Sequence, residues 1–281
     1  MLKVYLVQME AVLNNKTANF RKVRELLSAA GCMPSANTAS KTPADFAKCE
    51  CHGLIILPEM FATGYIPEDP ARYAEDFSCA AAGETANFLS ELSSETGCAV
   101  LGAGISLADA SQLHNHASLY LPGNPQEAAF YNKRKPFFPE VNFKPGESVS
   151  LFKINQWNIA AAICYDLRFP ELFRDATKAG AKLITVQAAW PLVRKEHWIT
   201  LLKARAIENQ VYIAAVNQVG GSPLQLGGNS MIISPTGEII SDITNSVKTD
   251  INSCEGVIQS TILSVPQDEY RKAFPVLNGI V

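Results

Sequence analysis

Three segments of this 281-residue chain carry a reactive side chain directly after a run of apolar residues. Glu59 follows LIILP, Lys133 follows AAFYN, and Cys164 follows IAAAI. Each run has the length and composition of a buried strand. Because open α/β sheets collect their ligands at the carboxyl ends of the strands, the pattern predicts that the three side chains converge in one pocket.

The three residue types together suit the hydrolysis of a carbon–nitrogen bond in an amide or a nitrile. A cysteine thiolate attacks the carbon atom and forms a covalent intermediate. Since a thiol is mostly protonated at neutral pH, a base must take its proton, and a glutamate can do so and later pass that proton to the departing amine. A lysine ammonium stabilises the negative oxygen of the tetrahedral intermediate.

Each of the three residues also has a purely structural interpretation. A cysteine at a strand end is commonly a small buried hydrophobic residue. Glu59 follows a proline and could cap the start of a helix. Lys133 opens the basic run KRK, which is typical of a solvated face. The catalytic interpretation therefore depends on the three residues occurring together.

The segments around these residues form three ordered motifs: LPEMFATGY at 57–65, YNKRKPF at 131–137 and ICYDLRFPELFR at 163–174. They resemble the glutamate, lysine and cysteine motifs of the nitrilase, or carbon–nitrogen hydrolase, superfamily, and the resemblance covers nearly the whole chain. The CYDLRFPE, WP and ARAIENQ stretches are most similar to the ω-amidase branch, whose members act on the side-chain amides of 2-oxo acids.

The resemblance implies a fold and a set of catalytic roles. The fold is α/β, a four-layer α-β-β-α sandwich formed by one domain over residues 1–281, and neither a metal nor an organic cofactor takes part. Glu59 is the expected general base, Lys133 the stabiliser of the oxyanion and Cys164 the nucleophile. The backbone amide of Tyr165 would supply a second oxyanion donor, and Glu140 would orient the lysine or the substrate.

Three further residues are candidates for substrate binding. Arg168 lies four residues after Cys164 and could hold a substrate carboxylate, since arginine binds carboxylates through two parallel hydrogen bonds. A structural ion pair of Arg168 with Asp166 or Glu171 is the alternative. The aromatic residues Tyr65 and Trp190 are candidates for the pocket lining, although each could equally belong to the core.

The chain departs from the family pattern in two places. In the lysine motif, Lys135-Pro136 stands where the family usually has His-Leu, and the change affects the loop near Glu140 and with it the choice of substrate. Residues 31–48 are rich in Ser, Thr, Ala and Pro and have little apolar periodicity. This composition predicts a surface loop inserted between the first helix and the second strand.

Apolar segments of strand length alternate with amphipathic segments along the chain, which predicts strands layered against helices. The expected strands are Lys3–Gln8, Gly53–Leu57, Ala99–Ser106, His116–Leu121, Ala129–Asn132, Asn158–Cys164, Leu183–Gln187, Val211–Asn217, Ser230–Ser234 and Ile239–Ser241. The expected helices are Thr17–Ala30, Thr85–Thr96, Glu171–Ala179 and Lys195–Asn209. The last two strands form a hairpin around Pro235–Gly237, because proline and glycine mark tight turns.

The composition excludes several classes of protein. The formal net charge of −3 argues against a nucleic-acid-binding protein. The apolar runs fall well short of the ~20 residues that a membrane span needs, and the N-terminus lacks a cleavable signal pattern. We therefore expect a cytoplasmic protein with a small-molecule amide substrate. The resemblance also implies a homodimer or a higher homo-oligomer, paired through the helix at 171–179.

The seven cysteines indicate reduced thiols rather than disulfides. Their number is odd, and no spacing suggests a disulfide framework. A CxCH run at 49–52 has three possible zinc ligands, Cys49, Cys51 and His52, but a structural zinc site needs four, and no second knuckle is visible in the sequence. We therefore interpret this run as incidental.

The sequence thus predicts hydrolysis of a linear amide through a cysteine thioester, with release of ammonia. The expected enzyme is an ω-amidase that acts on monoamides of 2-oxo dicarboxylic acids such as 2-oxoglutaramate. The first alternative is another hydrolase of the superfamily, acting on an N-carbamoyl amine, deaminated glutathione or a nitrile. The second is a catalytically silent binding subunit, against which the presence of all three catalytic residue types argues.

Overall fold

The computed structural model describes residues 1–33, 52–65, 67–108, 112–221, 224–245 and 254–279. Two six-stranded sheets lie face to face, and helices pack on the outer face of each. This arrangement confirms the four-layer α-β-β-α sandwich predicted from the sequence. None of the described helices is long and apolar enough to cross a membrane.

The first sheet is formed by both ends of the described chain and by the segments that lead to Lys133. Its strands are β1 (Leu2–Gln8), β2 (Leu54–Ile56), β3 (Ala99–Leu107), β4 (Leu113–Tyr120), β5 (Ala129–Asn132) and β14 (Gly256–Ile262). Their order across the sheet is β14-β1-β2-β3-β4-β5. The pairs β1–β2 and β2–β3 are parallel, and the other pairs are antiparallel.

The second sheet contains the strand that leads to Cys164. Its strands are β6 (Leu151–Ile154), β7 (Trp157–Ile163), β8 (Leu183–Ala188), β9 (Tyr212–Asn217), β12 (Met231–Ile233) and β13 (Ile239–Asp242). Their order is β13-β12-β9-β8-β7-β6, with β7–β8 and β8–β9 parallel. A separate two-stranded sheet pairs β10 (Val219–Gly220) with β11 (Leu226–Gly227).

The helices complete the two outer layers. They are α1 (Lys16–Ala29), α2 (Glu84–Thr96), α3 (Pro170–Lys178), α4 (Lys195–Asn209) and α5 (Ser264–Ala273). The Asn15 side chain caps the start of α1 by accepting a hydrogen bond from the Ala18 amide at 3.0 Å. Gly97 ends α2 in the left-handed conformation, which glycine adopts without steric cost.

The alternation of side chains along β1 shows why the strands are buried on both faces. Val4 and Leu6 point into the core between the two sheets. Tyr5 and Val7 point the other way, into a second core formed with α1 and α2. Since successive strand residues face opposite sides, a central strand of a four-layer fold must be apolar at nearly every position.

The strand ends bring the three candidate catalytic residues to the same region. Glu59 lies three residues beyond the end of β2, Lys133 directly follows β5, and Cys164 directly follows β7. The first two strands belong to one sheet and the third belongs to the other. The candidate site is therefore built where the facing sheets meet.

Every strand and helix predicted from the sequence is present, and the largest shift of an end is three residues. Strand β4 begins at Leu113 rather than at His116, because Leu113 pairs with Leu107 at the end of the β3–β4 hairpin where the two strands are connected. The predicted hairpin around Pro235–Gly237 is confirmed. The predicted loop at 31–48 and the CxCH run at 49–52 lie mostly outside the described residues, which omit 34–51.

Strands β6, β10, β11 and β14 and helix α5 were not predicted. Helix α5 has the sequence SVPQDEYRKA, with a proline in its first turn and with Gln267 as its buried residue. It therefore lacks the apolar stripe by which amphipathic helices are recognised. Its contacts are polar instead: the Gln267 side chain donates to the backbone oxygens of Lys182 and Gln210 at 2.9 and 3.0 Å.

Candidate active site

The structure brings the three predicted catalytic residues together in the interior. Glu59 is fully buried, Lys133 is 1% exposed and Cys164 is 8% exposed. The Lys133 Nζ atom lies 2.9 Å from Oε1 of Glu59. The Glu59 carboxylate and the Lys133 ammonium both lie close enough to the Cys164 thiol to shift its pKa. Lys133 does not lie on a solvated face, so that structural interpretation is wrong.

The Lys133 ammonium is held between two carboxylates. Besides its contact with Glu59, its Nζ atom donates to Oε1 of Glu140 at 3.0 Å. The Asn115 side-chain amide donates to the same two oxygens, at 2.7 Å for Glu59 and 3.0 Å for Glu140. The predicted contact between Glu140 and the lysine is present, and the Phe137 amide fixes the other Glu140 oxygen at 2.6 Å.

This arrangement keeps the lysine charged. Burial alone would lower the pKa of Lys133, but the carboxylates of Glu59 and Glu140 outweigh burial and raise the pKa above its usual value. Burial raises the pKa of Glu140, and the Lys133 ammonium acts in the opposite direction. The site therefore contains a permanent buried cation.

Backbone groups fix the position of the Glu59 side chain. Its Oε2 atom accepts a hydrogen bond from the Ala189 amide at 3.0 Å, just beyond the end of β8. Its backbone oxygen accepts from the Gln218 side chain at 2.7 Å. Glu59 begins a turn rather than a helix. The helix-cap interpretation of this residue is therefore wrong.

Cys164 occupies a sharp turn between β7 and a short 3₁₀ helix, Cys164–Arg168. Its φ of 45° is in the left-handed region, which is rare for a residue with a side chain. Burial raises the pKa of the Cys164 thiol, the Glu59 carboxylate raises it further, and Lys133 opposes both. The resting thiol is thus neutral at pH 7 and needs a base in order to react.

The predicted second oxyanion donor lies in the same turn. Tyr165 is the second residue of the 3₁₀ helix. The first N–H groups of a helix have no acceptor within that helix. The geometry is therefore compatible with the Tyr165 amide facing a substrate oxygen, and the Tyr165 ring lines the cavity described next.

A cavity of about 360 Å³ opens above Cys164, which is a typical size for a small-molecule site. Among the described residues that line it, three are basic and none is acidic. All three predicted substrate-binding side chains belong to the lining. The lining residues are Tyr65, Phe137, Phe138, Cys164, Tyr165, Arg168, Ala189, Trp190, Pro191, Arg194, His197 and Leu224.

Arg168 lies against aromatic rings in the wall of this cavity. Its guanidinium carbon is 4.6 Å from the centre of the Trp190 ring and 6.0 Å from that of Tyr165. Within the described part of the chain Arg168 forms no ion pair: Glu171 pairs with Lys135 at 3.7 Å. The alternative prediction of a structural ion pair for Arg168 is therefore not supported by the geometry.

Tyr65 and Trp190 both line the cavity and are both largely covered. Trp190 is only 2% exposed, and its indole nitrogen donates to the backbone oxygen of Arg194 at 2.9 Å. Burial, with the nearby charges of Glu59 and Glu140, raises the pKa of Tyr65 above its usual value. The tyrosine therefore stays neutral and can only act as a hydrogen-bonding or packing group.

Two features of the site were missed in the sequence. Asn115 had a signal, because it is a polar residue at an inward position of the buried strand LHNHASLY. The Ala189 amide had none, since a backbone N–H group can belong to any residue type. The Asn115 side chain completes the hydrogen-bond network of the charged groups, and the Ala189 amide orients the Glu59 carboxylate.

The family follows from comparison with known proteins. A model of the carbon–nitrogen hydrolase family matches residues 3–262. The chain belongs to the carbon–nitrogen hydrolase family. This hydrolase is similar to the omega-amidase YafV of Escherichia coli, with 32% identity over 229 residues, which cover 79% of this chain and 82% of the relative.

Two further proteins resemble this hydrolase. The 2-oxoglutaramate amidase of Bacillus subtilis is 27% identical over 232 residues, which cover 81% of this chain and 84% of the relative. A crystal structure of a CN-hydrolase superfamily protein from Xanthomonas campestris, with an arsenic adduct in its active site, gives a TM-score of 0.78 at 27% identity, and the alignment covers 99% of this chain and 97% of that chain. Hydrolysis of a carbon–nitrogen bond is therefore the chemistry of this hydrolase.

Proposed function

We propose that this carbon–nitrogen hydrolase is an ω-amidase that releases ammonia from a monoamide of a 2-oxo dicarboxylic acid, such as 2-oxoglutaramate. Relatives named omega-amidase and 2-oxoglutaramate amidase support the substrate class. The observation that carries the proposal is the buried Glu59–Lys133 pair beside the Cys164 thiol, at the base of a cavity with basic residues in its wall.

In the first half of the reaction, Cys164 is acylated. Glu59 takes the proton from the neutral thiol, and the sulfur attacks the amide carbon. A lysine ammonium has three N–H donors, and two of those of Lys133 are engaged by Glu59 and Glu140. The third donor, together with the Tyr165 amide, stabilises the oxyanion.

The remaining steps complete the thioester and then regenerate the thiol. Glu59 passes its proton to the amide nitrogen, and ammonia leaves as the thioester forms. A water molecule then attacks the thioester carbon while Glu59 accepts a proton from the water. The bond to sulfur breaks, the thiolate recovers its proton, and the free acid departs.

The basic residues in the cavity wall favour a substrate that carries a carboxylate. The chain as a whole has a net charge of −3, yet Arg168, Arg194 and His197 line this cavity without an acidic neighbour among the described lining residues. The Arg168 guanidinium has no ionic partner in the described structure, lies over the Trp190 ring and lines the cavity, so its donors are available to a substrate. An acyl group that ends in a carboxylate fits that donor set.

The test is ammonia release by the purified protein from a panel of amides. We expect turnover with 2-oxoglutaramate and little with an N-carbamoyl amine, deaminated glutathione or a nitrile. Cys164→Ala is expected to abolish turnover. The matched control is Cys98→Ala, which removes another buried thiol in the core between the first sheet and its helices, and which should leave turnover intact.

Each part of the proposal has its own contrary result. Turnover close to wild type in Cys164→Ala would overturn the assignment of the nucleophile. Turnover of the carbamoyl, glutathione or nitrile substrate in preference to 2-oxoglutaramate would overturn the substrate class. No turnover of any amide, with a Cys164 that reacts no faster with electrophiles than the other thiols, would indicate a silent binding subunit.

A further inference from the structure

A buried carboxylate outside the proposed triad connects the segments that carry the nucleophile and the lysine. Asp166 is fully buried in the 3₁₀ helix that begins at Cys164. Its Oδ2 atom accepts from the Ile163 amide at 2.9 Å and from the Tyr131 hydroxyl at 2.8 Å. Its Oδ1 atom accepts from the Lys135 amide at 2.8 Å.

The three donors come from both sides of the site. Ile163 is the residue directly before Cys164, at the end of β7 in the second sheet. Tyr131 and Lys135 lie two residues before and two residues after Lys133, at the end of β5 in the first sheet. One carboxylate therefore fixes the start of the nucleophile turn against the Tyr131 side chain and the Lys135 backbone, one on each side of the lysine.

The nucleophile turn needs such a restraint. Cys164 has a φ of 45°, and a residue with a side chain keeps this conformation only where its surroundings hold it. From the opposite side, the buried guanidinium of Arg205 donates to the backbone oxygen of Leu167 at 2.9 and 3.2 Å. The turn is thus held by helix α4 at one end and by Asp166 at the other.

We propose that Asp166 is a positioning residue that sets the distance between the Cys164 sulfur and the Lys133 ammonium. The inference rests on the proposed function, in which these two groups act on the same carbon–oxygen bond. A carboxylate is required because it only accepts hydrogen bonds, and all three neighbours donate. An asparagine of the same size would turn an N–H group toward at least one of these donors.

The test measures how fast iodoacetamide alkylates Cys164 in the folded protein, with each cysteine quantified by peptide mass spectrometry. Tyr131→Phe removes only the contact from β5. The matched control is Tyr120→Phe, which removes another buried hydroxyl from the same sheet. That hydroxyl donates a hydrogen bond to the backbone oxygen of Phe77 at 2.5 Å. We expect alkylation of Cys164 to slow about 10-fold in Tyr131→Phe and to stay unchanged in the control.

Asp166→Asn replaces one of the two acceptor oxygens by an N–H donor, so that at least one of the three donors loses its partner, and it gives a second, stronger variant. We expect kcat for 2-oxoglutaramate to fall about 10-fold to 100-fold, because a misplaced nucleophile lowers the rate of attack. KM should change less than about threefold, since the cavity wall that binds the substrate is intact. The alkylation rate of Cys164 should fall in parallel with kcat.

The contrary results separate this inference from the proposed function. A wild-type Cys164 that is alkylated no faster than Cys98 or Cys254 overturns the assignment of the nucleophile, and this inference with it. A fast wild-type Cys164 with equally fast labelling in Tyr131→Phe and Asp166→Asn overturns the positioning role alone. Equal slowing in Tyr131→Phe and Tyr120→Phe also overturns it, because the effect would then follow from the loss of any buried hydroxyl in this sheet.

Discussion

At the scale of single residues, the candidate site depends on charges that are buried and paired. Removing Lys133 from water is costly, and the two carboxylates offset that cost, while the Asn115 amide donates to the same carboxylate oxygens. The same arrangement places two carboxyl groups against one ammonium. Burial raises the pKa of the Cys164 thiol and the nearby Glu59 raises it further, so the thiol is neutral.

Arg168→Lys tests whether Arg168 binds the carboxylate of the substrate. Lysine is a point charge on a flexible stem, so it reproduces neither the two parallel hydrogen bonds nor the contact of a planar guanidinium with the Trp190 ring at 4.6 Å. We expect KM for 2-oxoglutaramate to rise about 10-fold, with a smaller change in kcat. The control is Arg21→Lys on the exposed face of α1, and an unchanged KM in Arg168→Lys would favour a structural role for the arginine.

The Asp166 carboxyl gives a prediction for stability as a function of pH. Burial raises the pKa of Asp166 to about 6 from 3.8, although its three hydrogen-bond donors oppose the change. The folded state therefore retains this proton at a pH where the unfolded chain has lost it. Between pH 4 and pH 6 the contribution of Asp166 to stability falls as pH rises, by about 3 kcal/mol in total.

Urea denaturation of wild type and Asp166→Asn at pH 4.5 and pH 7 measures this contribution. Because asparagine does not titrate, the free energy of unfolding of wild type minus that of the variant should be lower at pH 7 than at pH 4.5. A difference that is the same at both pH values, or larger at pH 7, would contradict the raised pKa. The comparison also establishes whether the variant used to test positioning is stably folded.

At the scale of elements, one glycine in the hairpin of β12 and β13 affects both the turn and the packing of helix α4. The Gly237 amide donates to the Ser234 backbone oxygen at 2.9 Å, and its φ is 85°. A Cβ atom at this position would lie 2.6 Å from side-chain atoms of Ile207 on helix α4. The glycine is therefore required for the backbone conformation of the turn and also for the approach of the helix.

Gly237→Ala separates these two requirements when compared with Gly31→Ala. Gly31 also has a positive φ, 68°, but a Cβ atom there would meet nothing within 4 Å. We expect Gly31→Ala to lower the free energy of unfolding by about 1 kcal/mol, through backbone strain. Gly237→Ala should lower it by about 2–4 kcal/mol, because overpacking adds to the strain. If urea denaturation gives the same loss of unfolding free energy for both variants, the added Cβ atom at position 237 causes no overpacking against helix α4.

The elements were predictable where the pattern of apolar residues determines them. The strands before Glu59, Lys133 and Cys164 are nearly continuous apolar runs, and their ends predicted the location of the site. Helix α5 was not predictable, because polar contacts to the ends of neighbouring strands hold it in place. The contact of Arg168 with the Trp190 ring was not predictable either, since it depends on the relative position of β7 and β8.

At the scale of the whole molecule, the site forms where the two facing sheets meet. The base and the lysine come from the first sheet and the nucleophile from the second, so a shift of one sheet against the other changes the catalytic distances. The core between the sheets contains apolar residues of both and resists such a shift. The contact of Asp166 with Tyr131 lies across this same junction.

The predicted pairing of subunits is also a property of the whole molecule. The family resemblance implies a homodimer formed through the helix at 171–179, which corresponds to α3. We expect light scattering after size-exclusion chromatography to give about twice the monomer mass at micromolar concentration. A monomer mass over the whole concentration range would contradict the prediction.

The covalent intermediate on Cys164 is the most direct test of the account. The enzyme is mixed with 2-oxoglutaramate, quenched in acid within the first turnovers and digested, and the peptides are measured by mass spectrometry. We predict that the peptide with Cys164 gains the mass of the substrate minus ammonia, and that alkaline hydroxylamine removes this added mass. Steady ammonia release by the enzyme with an unmodified Cys164 peptide, or with the acyl group on another residue, would contradict the account.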